Sequence, residues 1–339
     1  MQLECSHFST NVFAPRDRFG VWRDNISVIY EPLLLPGEAP SDFHASVHAY
    51  KFGQATLARS TGGLQAFQRT EAMIADDRID HYMVQVFRSG RCLIDDSGFQ
   101  GCVLPGEVCV FDSARTLDTV NEPFDLLAFV VPRIELAPYL DQPDDVHYLR
   151  IPASKPLGAM FSEHLNRMYD MASTLDEETA SSLFVPTVEL LAAALNSARA
   201  DGGTSSTRVA RNILISRVCH YIDAYVGNPS LDAETIVRVL GISRPSLRET
   251  FDPIGGIDAL IHERRMVAAS RMIRSWRGAY DLSEIAIATG FDDEWDFIQA
   301  FHSRFGKLPG DMRGSNFARS ADGRVGNRRA QWAMWIGGA

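Results

Sequence analysis

The sequence predicts an α+β protein, in which a small β-barrel or sandwich with flanking helices precedes a region that is helical throughout. Two observations carry this prediction. Residues 43–131 contain short runs rich in β-branched and aromatic residues, separated by turn dipeptides. From residue 208 onward, apolar residues recur at helical spacing instead. A chain of 339 residues is also too long for one ordinary hydrophobic core, so two or more domains are expected.

The β-rich region is predicted from four runs, with Ser-Gly, Pro-Gly and Glu-Pro between them. The runs are HYMVQVF (81–87), GRCLIDD (90–96), EVCVFDS (107–113) and FDLLAFVV (124–131). Helical patterns flank the region around 16–30, over 154–172 and over about 177–198. The last pattern has an apolar face that fits a helix–helix dimer seam and equally fits packing onto the protein's own barrel. The candidate dimerisation residues are Leu183, Leu190, Leu191 and Leu195.

Residues 198–207 are small, polar and glycine-bearing, which is typical of a linker. The net charge of -10 is distributed unevenly about this linker. From residue 207 onward there are 18 Lys and Arg against 15 Asp and Glu, a net charge of +3, whereas the preceding residues carry -13. The acidity of the N-terminal half therefore does not exclude nucleic-acid binding by the C-terminal half.

Residues 231–251, LDAETIVRVLGISRPSLRETF, predict two short helices joined by a three-residue turn. The first helix ends at Gly241, and Ile242 is the apolar residue of the turn. Ser243 is a cap for the second helix, and Pro245 lies in its first turn, where a missing N–H breaks no hydrogen bond. This pattern is the signature of a helix-turn-helix.

Residues 282–301 repeat this plan after about 50 residues. The glycine and apolar turn residue recur as Gly290 and Phe291, and the core positions recur as Phe297 and Phe301. Residues 257–276 between the copies predict one continuous helix of about 30 Å. That length is close to one turn of B-DNA, about 34 Å, so a stiff connector could set two recognition helices into successive major grooves.

Four acidic residues crowd the start of the second recognition helix: Asp292, Asp293, Glu294 and Asp296. A carboxylate favours a helix N-terminus and caps its free N–H groups, but it repels a phosphate. Glu294 or Asp296 could also accept a hydrogen bond from cytosine N4. We expect Asp292 or Asp293 to act as a structural cap, and we expect the second copy to contribute less DNA affinity than the first.

The back half, over about 208–314, resembles the AraC family of bacterial transcription regulators. The residues that carry the resemblance are Leu240-Gly241-Ile242-Ser243, Leu247, Phe251, Gly255-Gly256, Arg264-Arg265-Met266, Ile285-Ala286, Gly290-Phe291, Phe297, Phe301, Phe305-Gly306, Pro309 and Arg313. More loosely, most of residues 1–195 resembles a cupin-like regulatory domain of the family, through LPGEVCVFDSART (104–116) and Val131-Pro132-Arg133. The positions that depart from the family pattern are Val237, Glu249, Gln299 and Met312.

The resemblance implies a cupin-like regulatory and dimerisation domain over 1–197, the linker over 198–207, and an AraC-type DNA-binding domain with two helix-turn-helix motifs over 208–314. It leaves the tail, 315–339, without an assignment. It also implies a small effector sensed in the barrel, and a dimer formed through helices beside the barrel.

Arg248 is the best candidate for reading base sequence, because a guanidinium can bind guanine O6 and N7 together. Arg244 lies at the start of the same helix, where a phosphate contact is expected. The alternative is that both are solvated surface arginines. The DNA-binding candidates are Arg244, Ser246, Arg248, Glu249, Glu294, Trp295, Gln299, Arg304 and Lys307.

His81, Met83 and Gln85 alternate onto one face of a predicted strand, as the lining of a small-molecule pocket would. Arg69 is available to bind a carboxylate. Satisfied structural roles fit the same residues equally well. The effector-binding candidates are Tyr50, Arg69, His81 and Gln85.

No catalytic residue, metal site or cofactor is expected. His44 and His48 lie in a predicted strand, where four residues span about 13 Å and cannot share a metal ion. No P-loop, nucleophile elbow or GxGxxG context occurs. The five cysteines include no CxxC pair, which argues against a zinc ribbon or a secreted disulfide framework. Cys92, Cys102 and Cys109 lie in predicted strands, which favours buried inert thiols over a redox sensor. A cupin-type enzyme is therefore disfavoured.

The sequence thus predicts a cytoplasmic, sequence-specific DNA-binding regulator, an activator by the habit of the family, controlled by a small molecule. Its expected partners are double-stranded DNA, RNA polymerase, the effector and a second copy of the chain. No membrane association is expected, because no apolar run reaches membrane-spanning length. The alternative is a ligand-binding or interaction protein whose second helix-turn-helix has lost DNA affinity.

Overall fold

The computed structural model describes residues 3–77, 79–96, 99–199, 206–275, 281–306, 308–310 and 335–336. These residues form two compact units. The first contains the described residues up to 199, except 137–139, together with Trp335 and Ile336. The second contains residues 137–139 and the described residues from 206 to 310.

The first unit contains twelve strands and five α-helices among its described residues. In chain order they are β1 (Cys5–Ser9), α1 (Arg18–Ile26), β2 (Glu31–Leu33), β3 (Ala45–Phe52), β4 (Ala55–Gly62), β5 (Gln65–Arg69), α2 (Glu71–Asp77), β6 (His81–Ser89), β7 (Cys92–Asp96), β8 (Phe99–Val103), β9 (Val108–Asp112), β10 (Leu117–Asn121), β11 (Phe124–Pro132), α3 (Arg133–Leu136), β12 (Arg150–Ile151), α4 (Pro156–Met171) and α5 (Glu177–Arg199).

Two antiparallel sheets enclose the core of this unit, which confirms the predicted barrel. One sheet has the order β1-β3-β4-β11-β6-β9-β12, and the other has the order β2-β5-β10-β7-β8. Strand β10 shows why the sequence builds such a layer, because Leu117, Thr119 and Asn121 are buried while the residues between them are half-buried. Trp22 of α1 is fully buried, and its Nε1 donates to Gln65 Oε1 at 2.7 Å, which fastens the helix to β5.

Helices α4 and α5 form a hairpin, and α5 packs against β3 as well as α4. Gly53, with φ of +57°, allows close approach, since a Cβ there would lie 2.9 Å from Cβ of Phe184. The apolar face of α5 is turned into the protein's own core: Leu191 and Leu195 are 0% and 1% exposed. These two residues are therefore not available for the predicted dimer seam, whereas Leu183 and Leu190 are half-buried.

Among the described helices, α5 is long and apolar enough to cross a membrane by length and composition, contrary to the expectation that no such run exists. Nine of its residues are buried, including Thr187 and Asn196. Thr187 Oγ1 lies 2.8 Å from Nε2 of His164, and Asn196 Oδ1 accepts from the N–H of Asp141 at 3.0 Å. These contacts are those of a helix that packs in a protein core.

The second unit is helical, as predicted. Its helices are α6 (Ser206–Ala224), α7 (Ala233–Leu240), α8 (Arg244–Phe251), α9 (Gly256–Ser275), α10 (Leu282–Ala288) and α11 (Glu294–Phe305). Helix α9 is the predicted connector, within one residue at each end, and it contacts α6, α8, α10 and α11. Its buried Met266, Ala269 and Ile273 pack in one apolar cluster with Phe297 and Phe301 of α11.

Candidate DNA-binding face and effector cavity

Helices α7 and α8 form the first helix-turn-helix. Asp232 accepts a hydrogen bond from the N–H of Thr235 at 2.7 Å and caps α7, which ends at Gly241 in the left-handed region, with φ of +62°. Ser243 caps α8 by accepting from the N–H of Ser246 at 3.2 Å. Since Leu247 and Phe251 are buried, the opposite face of α8 is left outward.

The outward face of α8 carries the residues predicted to contact DNA. Arg248 and Glu249 are exposed, and Ser246 is half-buried. Arg244 is exposed and pairs with Glu234 at 3.1 Å. Arg248 forms no ion pair with any side chain in the described ranges. Its guanidinium therefore remains available to an external acceptor.

Helices α10 and α11 form the second helix-turn-helix. Asp293 Oδ1 accepts from the N–H of Asp296 at 2.8 Å, so the predicted structural cap is Asp293. The carboxylates of Asp292, Glu294 and Asp296 lie on exposed residues. Trp295 is 66% exposed and Gln299 is also exposed. Helix α11 thus presents the amide of Gln299 and the indole of Trp295 to solvent, near three carboxylates that do not cap the helix.

Three arginines of the second unit brace its helices. Arg304 donates from Nε and Nη2 to both carboxylate oxygens of Glu263, at 2.7 and 2.8 Å, and joins α11 to α9. Arg265 donates to the carbonyl of Asn228 at 2.8 Å, and Arg264 pairs with Asp223 at 3.3 Å. Burial lowers the pKa of Arg265.

Of the predicted DNA-contacting residues, Arg304 is therefore engaged within the protein. Lys307 lies outside the described residues.

A cavity lies within the barrel of the first unit, with an empty volume of about 740 Å³ counting the part that opens to solvent. Its lining includes no Lys, Arg, His, Asp or Glu among the described residues. The lining residues are Trp22, Ile26, Ile29, Tyr30, Val47, Ala58, Ser60, Phe67, Met83, Gln85, Phe111, Leu117, Thr119, Asn121, Phe124, Leu126, Ala128, Val130 and Ile336.

The polar groups in this lining differ in how they are satisfied. Tyr30 donates from its hydroxyl to Sδ of Met83 at 2.9 Å, and burial raises the pKa of Tyr30, which stays neutral. Thr119 donates to the carbonyl of Phe67 at 3.5 Å. Asn121 is 3% exposed, and its Oδ1 accepts no hydrogen bond from any described residue. Asn121 therefore lines the cavity and carries a buried acceptor that has no partner among the described residues.

Gln85 and Met83 both line the cavity, as their alternation along β6 predicts. Tyr50 does not line it. On β3, Val47 faces the cavity, whereas Tyr50 packs against His48 and against Tyr169 of α4, with ring centroids 4.7 and 5.9 Å apart. The position of Tyr50 along the strand thus turns it to the face that the helices cover.

Arg69 does not line the cavity either, and its side chain is 1% exposed. It donates to both carboxylate oxygens of Asp77, at 2.7 and 2.9 Å, and to the carbonyls of Ser113 and Ile29, at 2.6 and 2.9 Å. Four of its five N–H donors are thus used within the protein, three of them by two backbone carbonyls and one carboxylate oxygen and the fourth by the other carboxylate oxygen. His81 is buried at the start of β6, where its backbone N–H donates to Ser113 Oγ at 2.7 Å, and it is likewise absent from the lining.

Two features of the cavity escaped the sequence prediction. The first is Asn121, although the alternation of Leu117, Thr119 and Asn121 before a Glu-Pro turn was a usable signal. The second is the tail, which had no assignment: Trp335 and Ile336 are 7% and 4% exposed and belong to the core cluster of the barrel. No sequence pattern near Trp335 and Ile336 predicts that they pack into the core of the barrel.

A paired helix-turn-helix unit with an outward cationic helix, together with a barrel around an apolar cavity, defines a DNA-binding regulator with a sensory domain. A family model described as the AraC-binding-like domain matches residues 22–196, and a model described as a helix-turn-helix domain matches residues 236–315. The chain belongs to the AraC-type family of transcription regulators.

The chain is similar to two curated proteins and to a solved structure. It is 24% identical over 298 residues to the transcriptional activator NphR of Rhodococcus sp., covering 86% of this chain and 88% of that protein. It is 22% identical over 182 residues to an uncharacterized protein in the nit 5' region of Bacillus sp. (strain OxB-1), covering 53% and 70%. The crystal structure of the AraC-like transcriptional activator CuxR has a TM-score of 0.55 at 23% identity, covering 79% of this chain and 96% of that one, and shares the fold.

Proposed function

We propose that this regulator activates transcription and that a small molecule in the barrel cavity controls its binding to DNA. One observation carries the DNA-reading part of the proposal. The caps and the buried Leu247 and Phe251 fix α8 so that Arg248 points outward without an ion-pair partner among the described residues. A guanidinium in that position can read guanine, while Arg244 contacts phosphate.

The two helix-turn-helix units are expected to differ in affinity. The first presents two exposed arginines on α8, whereas α11 presents Glu294 and Asp296 in its first turn. Carboxylates near phosphate repel it and release no counterion. The second unit then contributes through Trp295 and Gln299, and the first supplies most of the specificity.

The proposed domain division is a regulatory domain over 1–197, a linker over 198–207, and a DNA-binding domain over 208–314, with Trp335 and Ile336 completing the regulatory core. We propose a cytoplasmic homodimer that recruits RNA polymerase and has no catalytic activity. The half-buried Leu183 and Leu190, with Val185 at 42% exposure, are the apolar residues of α5 that a second copy could cover.

The test is DNA binding by the full chain, with footprinting on its own upstream DNA and an affinity series for Arg248→Ala. Loss of a bidentate base contact is worth about 1–3 kcal/mol, so site-specific affinity is expected to fall roughly 5- to 150-fold. Arg16→Ala removes an exposed positive charge from the first unit, where Arg16 is 87% exposed, and is the matched control. If Gln299→Ala abolished specific binding while Arg248→Ala had no effect, the roles of the two units would be reversed.

The exposed acids on α11 favour one other function, a ligand-binding or interaction protein without DNA affinity. A salt series on the same DNA separates the two. Specific binding that weakens steeply with salt supports the regulator, because cationic contacts release counterions. Absence of any footprint with and without effector would support the alternative.

A further inference from the structure

We propose that the barrel cavity selects an uncharged, largely apolar molecule that donates one hydrogen bond, through N–H or O–H, to Oδ1 of Asn121. This inference rests on the proposed assignment of the cavity as the effector site and names the chemistry of its ligand. Two independent observations support it. The described lining has no charged side chain, and Oδ1 of Asn121 has no hydrogen-bond partner among the described residues.

The lining argues against a charged ligand. A carboxylate or ammonium moved into an apolar cavity loses its hydration and needs a partner of opposite charge. Among the described lining residues there is no ionised side chain. Arg69, two residues after Phe67 of the lining, is enclosed by Asp77 and two backbone carbonyls. A neutral molecule enters without this cost.

The position of Asn121 argues for a donor on the ligand. Asn121 lies on β10 between Gln65 of β5 and Cys92 of β7, and it shares the inner face with Leu117 and Thr119. Gln65 does not satisfy it: the amide of Gln65 accepts from Trp22 and donates to the carbonyl of Gly63, and Asn121 Oδ1 is left without a partner among the described residues. A buried acceptor without a partner is destabilising and rare. A ligand N–H or O–H would remove that cost, which makes Asn121 a specificity-determining residue.

The remaining lining fits the body of such a ligand. Aromatic and aliphatic side chains from both sheets form most of the wall, including Phe67, Phe111 and Phe124. Ser60 and Gln85 lie on the sheet that faces Asn121 and offer further polar contact. A few placed polar groups in an apolar pocket are the pattern of a site that orients a small molecule.

The experiment uses three ring-matched probes on the full chain: indole, which has one N–H donor; indene, which has none; and indole-2-carboxylate, which is charged. Dissociation constants are measured by calorimetry. We expect indole to bind at least 5-fold more tightly than indene, and the carboxylate to bind at least 10-fold more weakly than indole. Asn121→Leu should bring the affinity for indole to within about 2-fold of that for indene.

Gln68→Leu is the control, because it removes an amide of β5 that lies outside the cavity lining, where it donates to Asp118. It should leave the preference for indole unchanged. Circular dichroism checks that both variants fold, and if Asn121→Leu does not fold, the ratio of indole to indene affinity on the native chain decides. Equal binding of indole and indene, tighter binding of the carboxylate, or no binding of any probe overturns the proposal.

Different outcomes of these experiments would refute the proposed regulatory function and the proposed ligand class. If indole binds as expected but no DNA footprint appears with or without it, the ligand class stands and the regulatory role falls. If the carboxylate binds best and alters the footprint, the regulatory role stands and the ligand class falls.

Discussion

Arg304 and Glu263 face each other in a two-point ion pair that ties the last helix of the second helix-turn-helix to the connector helix, with nitrogen–oxygen distances of 2.7 and 2.8 Å. The side chain of Glu263 is 16% exposed and that of Arg304 is 31% exposed. Since the pair is partly shielded from solvent, it fixes α11 on α9 more firmly than an exposed pair would.

We expect Arg304→Ala and Glu263→Ala each to lower the free energy of unfolding by about 1–2 kcal/mol, with a favourable coupling in the double-mutant cycle. Urea denaturation measures both. If Arg304 acts only as a brace, the two single variants weaken DNA binding equally. A loss confined to Arg304→Ala, with a lower salt slope, would instead show a direct phosphate contact.

The acids at the start of α11 give a second prediction. Glu294→Gln combined with Asp296→Asn should raise DNA affinity severalfold at low salt, because it removes charge that repels phosphate, and the gain should shrink as salt rises. Asp293→Ala should behave differently, lowering stability by about 1 kcal/mol through loss of the cap. Unchanged affinity of the double variant across the salt series would place these acids away from DNA.

The two turn glycines offer a matched pair. Gly241 and Gly290 both have positive φ, +62° and +81°, but a Cβ at Gly241 would meet open space. At Gly290 it would lie 2.8 Å from both the carbonyl oxygen of Val226 and Nε of Arg265. Gly241→Ala should cost about 1 kcal/mol of stability from backbone strain alone, whereas Gly290→Ala should cost roughly 3 kcal/mol. Equal costs in urea denaturation would contradict the close packing at Gly290.

His147 predicts a pH dependence. Burial lowers its pKa to about 4, and its Nδ1 accepts from the N–H of Asp112 at 3.0 Å, so protonation at that nitrogen breaks the bond. The unfolded state binds the proton first, near pH 6.5. Stability is therefore lost as pH falls from about 6.5 to about 4, by up to about 3 kcal/mol, and is constant below that range.

His147→Asn keeps an acceptor for Asp112 and removes the titration. The difference in unfolding free energy between the native chain and this variant should thus change between pH 7.5 and pH 4.5. A difference that stays constant with pH would assign the acid sensitivity to other groups. Burial also lowers the pKa of His48 and His164, and both remain in the variant.

The tail gives a fifth prediction. Trp335→Ala should lower the unfolding free energy of the barrel unit by about 3 kcal/mol, because Trp335 is only 7% exposed within its core. Trp295→Ala is the control, since Trp295 is 66% exposed and its removal should change stability by less than about 0.5 kcal/mol. If both variants melted like the native chain, the tail would not be part of the core.

The helical half was predictable because its signals are local. Caps at Ser243 and Asp293, the glycine turns and the 3.6-residue period all act within a few residues, and α9 was placed to within one residue. Strand alternation likewise placed Gln85 and Met83 on one face. The surroundings of Tyr50 and Arg69 could not be predicted in this way, because they depend on Tyr169 and Ser113, which are distant in sequence.

The burial of Ile336 has a practical consequence for anyone handling this protein. A purification handle or fluorescent reporter joined to the chain shortly after Ile336 would follow a side chain that forms part of the chamber wall. Such a fusion would distort the wall of the chamber. The resulting change in ligand binding would then be mistaken for a change in the response to the effector. Reporters for this regulator are better inserted elsewhere, and a measurement on a tail fusion needs a control without the fusion.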